Sequence, residues 1–175
     1  MRAHSSRSIL GLLLAAVTAA ACNRQPNTAY SFDMAPGGWE FNTHRSSGGT
    51  SSEEYTHPVH AETIEVFEVA RAAPGTSSAE FTALPPAQRV LPTLGDATTT
   101  MRALGDDDIN GVQGYWVAQY GRDGSQSLQA AVFVVPGGRR HFVVRLRSPD
   151  DEIEHLQGWA RDTLLRNFRF PPAQR

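Results

Sequence analysis

Two clusters of side chains in this sequence have donor atoms at spacings that could hold a metal ion. The first is Asp106-Asp107-Asp108-Ile109-Asn110-Gly111. Asp106, Asp108 and Asn110 alternate ahead of Gly111, as oxygen ligands do in the opening half of a calcium loop. A full loop would end on a bidentate glutamate at its twelfth position, and here that position is Val117. The same residues also read as a tight hairpin turn, because Asn-Gly favours the positive φ that such turns require. We favour the turn. The second cluster is His57-Pro58-Val59-His60, with Glu53, Glu54 and Glu62 close by and His44 upstream. Imidazoles three residues apart can chelate zinc or copper on a helix, but Pro58 disfavours a helix. On a strand, His57 and His60 would point to opposite faces. Exposed loop histidines are the simpler reading. His57, His60, Asp106, Asp108 and Asn110 are therefore candidate ligands only, and we expect no cofactor.

Arg139, Arg140, Arg145 and Arg147 form a basic stripe. It reads as a solvated strand face or as a contact for an acidic partner or anionic lipid head groups. Trp39, Trp116 and Trp159 read as core residues. The chain contains no Lys and one Cys. Schiff-base and phosphate-loop lysine chemistry are thereby excluded, as are a thiol pair and a cysteine-built zinc site. Gly-x-Ser-x-Gly and His-Glu-x-x-His are absent. A hydrolytic triad assembled from distant residues stays open, but nothing points to one.

The single cysteine, Cys22, closes a segment with the features of an export signal. Met1 to Ser8 carries Arg2 and Arg7 and no acid, and Ile9 to Ala21 is an uncharged run of 13 residues. A membrane span needs about 20 residues, so a cleaved signal is the better reading. Ala19-Ala20-Ala21-Cys22 resembles the lipobox of bacterial lipoproteins, with Ala19 where that family prefers Leu. The resemblance implies cleavage before Cys22, with a diacylglyceryl group on its sulfur and an acylated amine. Three chains would anchor the protein durably, since each buried methylene contributes about 0.8 kcal/mol. Asn23, where the family uses Asp to retain proteins at the inner membrane, implies the periplasmic face of the outer membrane, with the inner membrane left open. Loss of Arg2 and Arg7 would leave 14 basic against 18 acidic residues, a net charge of −4, with no general attraction for nucleic acid.

We divide the chain into a signal at 1–21, a lipidated Cys and tether at 22–27, and one globular α+β domain at 28–175. Thr28 to Met34 alternates as a strand, Pro36-Gly37-Gly38 turns, and Trp39 to Phe41 is a second short strand. Asn42 to Pro58 reads as a long polar loop. Glu62 to Ala70 reads as a strand, and a short helix fits near Ser78 to Leu84 among Pro74, Pro85, Pro86 and Pro92. Thr98 to Leu104 is either strand or helical turn. Val112–Tyr120, Leu128–Val135 and Arg140–Arg147 form an antiparallel meander, with a turn at Gly121–Gly124. The middle strand is apolar on both sides, so both of its faces must be covered. A helix follows to Asn167, with Ser148 and Asp151 as a capping box and Ile153, Leu156, Ala160, Leu164 and Phe168 in one stripe.

Tyr30-Ser31-Phe32-Asp33-Met34 followed by Pro36-Gly37-Gly38-Trp39, together with the closing Asn167-Phe168-Arg169-Phe170, resembles the PsbP-like fold. That resemblance implies an antiparallel sheet with helices packed on both faces, an αβα sandwich whose members mostly bind or position other proteins. Gly38 and the stretch 42–58 depart from its pattern. We therefore expect a lipid-anchored, non-catalytic periplasmic module that binds another envelope protein. The alternative is a small-ligand or metal-binding lipoprotein. Intact-mass measurement of the exported protein should give a chain that starts at Cys22 and carries three acyl chains. A free thiol or a retained leader would overturn this.

Overall fold

The computed structural model describes residues 30–70, 73, 75–85, 88, 91–137, 140–148 and 152–170. Cys22, the tether and Arg139 lie outside these residues. The elements run β1 (Ser31–Phe32), β2 (Glu40–Ser47), β3 (Thr50–Thr56), β4 (Thr63–Val69), α1 (Ser78–Ala83), β5 (Ala97–Ile109), β6 (Val112–Asp123), β7 (Gln126–Val135), β8 (His141–Arg147), α2 (Ile153–Asn167) and β9 (Phe168–Arg169). Strands β2 to β8 form a seven-stranded antiparallel sheet in the order β2-β3-β4-β8-β7-β6-β5. The sheet curls into a half-barrel. β1 and β9 form a separate pair, with Ser31 opposite Arg169 and Phe32 opposite Phe168.

Alternation along the strands sorts the apolar residues into two clusters, one on each face. One face collects Ile64, Val66, Trp116, Ala118, Phe133, Val144 and Leu146 beneath Ile153, Leu156, Ala160 and Leu164 of α2 and the aromatic residues of β1 and β9. The other collects Phe67, Val69, Tyr115, Val117, Val132, Val134 and Val143 beneath Phe81 of α1 and Leu94. Ala130 to Val134 in β7 are all buried, because that strand contributes to both clusters. Each fully buried Leu or Phe contributes on the order of 2 kcal/mol.

This architecture corrects the αβα sandwich with helices on both faces. Strand dominates. Among the described residues only the 15-residue α2 is long enough to cover a face. The opposite face is closed by the six-residue α1 and by the irregular stretch 91–96. Prolines at 74, 85, 86 and 92 leave no room there for a second long helix. The polar stretch 42–58 is not a loop either, except for its last two residues, which begin the β3–β4 turn. It extends the sheet as the β2–β3 hairpin, with Ser47 opposite Thr50 across a Gly48-Gly49 turn. Helix α2 begins at Ile153 after Glu152, which makes no side-chain cap, so Ser148 does not cap it. Gly121 lies inside β6 and not in a turn. A Cβ there would meet the Leu94 carbonyl at 2.2 Å, so glycine is required where 91–96 crosses the strand.

That crossing is held by a buried cation. Arg145 on β8 is 6 % exposed. Its Nε donates to Glu65 at 2.8 Å, and its Nη1 donates to the carbonyls of Thr93 at 2.8 Å and Pro92 at 3.1 Å. Its guanidinium also lies 5.0 Å over the Phe67 ring. Removing one partner of a buried pair strands the other's charge in an apolar setting. Arg145→Ala should therefore cost about 3–5 kcal/mol in urea unfolding. Arg140→Ala, which breaks a more exposed pair with Glu68, should cost under about 1 kcal/mol. Equal effects would refute the pinning role.

Candidate functional site

The side chains with chemical potential gather around the β2–β3 hairpin. β2 is an edge strand, and seven of its eight residues are exposed. β3 is half-buried and turns Glu53 and Tyr55 inward. Glu53 is 3 % exposed. The hydroxyls of Tyr30 and Tyr55 both donate to its Oε2, Tyr55 at 2.7 Å. Its Oε1 accepts no hydrogen bond among the described residues, and His44 Nδ1, directly across on β2, lies 3.8 Å from it. Burial pushes both phenols well above the ordinary tyrosine value, and the hydrogen bonds to Glu53 push the same way. Both are therefore protonated donors at any physiological pH. Phe32 packs edge-on against Tyr55 at 4.3 Å between ring centroids, and Phe168 stacks on Tyr30 at 5.9 Å.

At the far end of the hairpin lies a hollow of about 190 Å³ lined by Trp39, His57, Glu62, Trp159 and Arg166 among others. Trp39 and Trp159 are 6.2 Å apart, and His57 meets Trp39 edge-on at 5.5 Å. Gly37 and Gly38, both at positive φ, let the chain turn so that Trp39 folds inward. Asn167 at the end of α2 donates to the carbonyls of Asp33 at 2.6 Å and Pro36 at 2.7 Å, which fixes that turn. A wider open groove of about 470 Å³ runs past Thr63, Arg147 and the start of β7.

The histidine pair falls in the turn between β3 and β4, with rings 4.6 Å apart. His57 Nδ1 accepts from the backbone N–H groups of Val59 and His60, both at 3.3 Å. That lone pair is already in use, so the neutral ring carries its proton on Nε2. The aspartate run lies at the end of β5. Asp106 accepts from the Ser78 N–H at 2.8 Å, and Asp108 from Gly111 N–H and Gln113, both at 2.6 Å. Asn110 takes φ 55° in the turn and donates to the carbonyls of Leu165 and Phe168. The oxygens point to different neighbours instead of converging. Among the described residues no three His, Cys, Asp or Glu side chains group as a metal site. Of the basic stripe, Arg145 is spent inside the fold, Arg147 lies 3.6 Å from Glu65, and Arg140 pairs with Glu68. The sequence reading missed Tyr30 and Tyr55 and noted Glu53 and His44 only as neighbours of the histidine loop. The Glu53–Tyr55 spacing of two was the available signal, once 50–56 is seen as a strand.

No protein-family model matches the chain, and no curated protein does. A solved structure from Bacteroides thetaiotaomicron is similar over 82 % of this chain and 49 % of its own, with a TM-score of 0.42 and 9 % identity. The chain thus spans about half the length of the structure it matches. No helix among the described residues is long and apolar enough to cross a membrane.

Asp107 ties the helix to this framework. Arg161 of α2 donates to both its oxygens, at 2.7 and 3.3 Å, and Trp116 Nε1 donates at 3.0 Å. Burial pushes the Asp107 carboxyl up, but these donors outweigh it and hold the group below the ordinary value of 3.8. A depressed folded-state pKa adds stability that is present above the unfolded value and is lost as pH falls through the folded one. Asp107→Asn should cost about 0.5–1.5 kcal/mol at neutral pH, discounted because Arg161 is partly exposed. The gap from wild type should shrink as pH drops below about 3.8. A gap that is constant from pH 7 to 2.5 in urea titrations would contradict it.

Proposed function

We propose that this chain is a lipid-anchored, non-catalytic module that binds or positions another envelope protein, and that the partner adds an extended segment along β2. The observation that carries this reading is the edge itself. Among the described residues β2 pairs only with β3, and seven of its eight residues are exposed. Unpaired strand edges bind extended segments through main-chain hydrogen bonds, with alternate side chains giving selectivity. The opposite edge, β5, is a poorer template, because bulges at 98–100 and 103–105 break its ladder. β2 has one bulge, at 41–43, and is regular from Thr43 to Ser47. Its polar side chains keep the edge from indiscriminate aggregation, while the half-exposed Phe41 at its start offers an apolar anchor.

The side chains best suited to chemistry support a non-catalytic reading, because they are engaged in holding the fold. The anchor supports an envelope location. Cys22 lies eight residues before Tyr30, so the lipid would sit within roughly 28 Å of the buried tyrosine even with the tether extended. A second reading, a small-ligand lipoprotein, draws on the hollow between Trp39 and Trp159.

Photo-crosslinking residues placed at Arg45 and Ser47 should capture the same single envelope protein in cells. The same residues at Thr100 and Arg102 on β5 should not. Cys22→Ser should abolish that capture by releasing the domain from the membrane. Capture from β5, or equal capture from both edges, would overturn the proposed mode.

A further inference from the structure

We propose that the groove where β7 parts from β8 binds an acidic sugar, with Arg147 taking its carboxylate. This proposal does not depend on the partner-binding reading, because the groove lies on the other side of β4 from β2. Strand pairing opens it. β7 pairs with β6 as far back as Gln126, but among the described residues it pairs with β8 only from Ala131 to Val135. β8 stays on β4 to its last residue, with Thr63 opposite Arg147. The sheet is therefore split ahead of Ala131. One lip is the start of β7, with Gln126, Ser127 and Leu128, and the other is Thr63 and Arg147, with Ser148 beyond. The space of about 470 Å³ between them lies within the usual range of a small-molecule site, roughly 300–1,000 Å³.

Charge and hydrogen bonding select the ligand. Glu65 faces two guanidinium groups, Arg145 at 2.8 Å and Arg147 at 3.6 Å. The nearer one neutralises it, so Arg147 brings a surplus positive charge. Among the described residues no acidic side chain lines the groove. Arg147 is 32 % exposed. Its Nε makes no hydrogen bond among the described residues, and neither does the Thr63 hydroxyl. Both atoms are buried, and a buried polar group without a partner is costly. This lip thus keeps hydrogen-bonding capacity that the fold does not use, whereas Arg145 beside it spends its donors on Glu65 and the Thr93 carbonyl. A guanidinium suits a carboxylate, which it can grip with two parallel bonds. The hydroxyls of Thr63, Ser127 and Ser148 and the amide of Gln126 both donate and accept. Phosphate offers chiefly acceptors and would leave half of that capacity unmatched. The hydroxyls of a sugar match both halves, and Leu128 gives an apolar surface for the C–H face of its ring.

The purified chain, labelled with nitrogen-15, should be titrated with sodium glucuronate and followed by NMR. The backbone amide signals of Gln126 to Gln129, Arg147 and Ser148 should shift and saturate together. Glucuronamide, in which an uncharged amide replaces the carboxylate, should need at least about tenfold more ligand for half-saturation, because it loses the charged partner of the guanidinium. Acetate, which keeps the carboxylate and lacks the hydroxyls, should also bind more weakly than glucuronate. Arg147→Gln should raise the glucuronate concentration for half-saturation at least about tenfold. Arg140→Gln, at the other end of β8, should leave it unchanged. No saturable shift in a wild-type chain with the spectrum of a folded protein would overturn the proposal. So would glucuronamide, acetate or phosphate binding as tightly as glucuronate, or a glucuronate response indifferent to Arg147→Gln. The comparison of ligands on the wild-type chain decides even where Arg147→Gln fails to fold.

Discussion

The fold depends on a sheet that is apolar on both faces and must be covered on both. β7 sets this requirement, because Ala130 to Val134 leave neither side able to meet water. A strand of this kind must sit inside its sheet, and here it has β6 on one side and β8 on the other. Among the described residues there is one long amphipathic helix, α2, which settles on the face bearing Trp116, Phe133 and Val144. The other face has to be closed by a stretch whose prolines forbid a second such helix. An irregular backbone has little cooperativity of its own, so polar groups must tie it down. Arg145 does so from the sheet, and Gln119, donating to the Pro92 carbonyl at 2.7 Å, does so beside it. The buried cation is thus a consequence of covering an apolar face with a segment that cannot be a helix.

The chain ends meet the same requirement on the α2 face. β1 and β9 are two residues each, too short to be stable as an isolated pair. They persist because Phe32, Phe168 and Phe170 pack on the sheet, and because Asn167 bonds the carbonyls of Asp33 and Pro36. The Pro-Gly-Gly-Trp turn and the closing Asn-Phe-Arg-Phe therefore act as one structural unit. Two short motifs more than a hundred residues apart in sequence are linked by one buried side-chain amide and by the β1–β9 pairing beside it.

Legibility in the sequence followed burial. β4, β6, β7 and β8 were readable because their alternation is strong and their apolar positions face a core. The β2–β3 hairpin was not. β2 is exposed along nearly its whole length, so it has no apolar period to detect, and its Ser and Gly content mimics a loop. β5 was ambiguous because bulges after Thr98 and Ala103 shift the period of alternation partway along the strand. The start of α2 was placed too early, because Ser148 has the right chemistry for a cap that the chain does not use. The two helix-covered faces expected from the PsbP-like motifs failed for a related reason. Short terminal motifs report how the chain ends pack and say little about what closes the far side of the sheet. Pairing across the fold was also hidden. Arg145 and Arg147 read as a basic stripe until the β4–β8 register sets Glu65 against them.

The hairpin that was hardest to read is also where the structure departs most from simple packing. Among the described residues the half-barrel ends on two edge strands, and two bulges interrupt the ladder of one of them, β5. The other, β2, carries a single bulge and is polar and exposed, yet the strand beside it holds a carboxylate that water scarcely reaches. Glu53 contributes little as a core residue, since a leucine there would bury comparable surface without desolvating a charge. Its hydrogen bonds instead join β3 to Tyr30, just ahead of β1, so that the inner strand of the exposed hairpin is tied to the residue that leads into the β1–β9 pair. A buried polar link fixes β3 against the residue leading into β1 in a way that non-directional apolar contact cannot, because both hydroxyls must reach the same carboxylate oxygen.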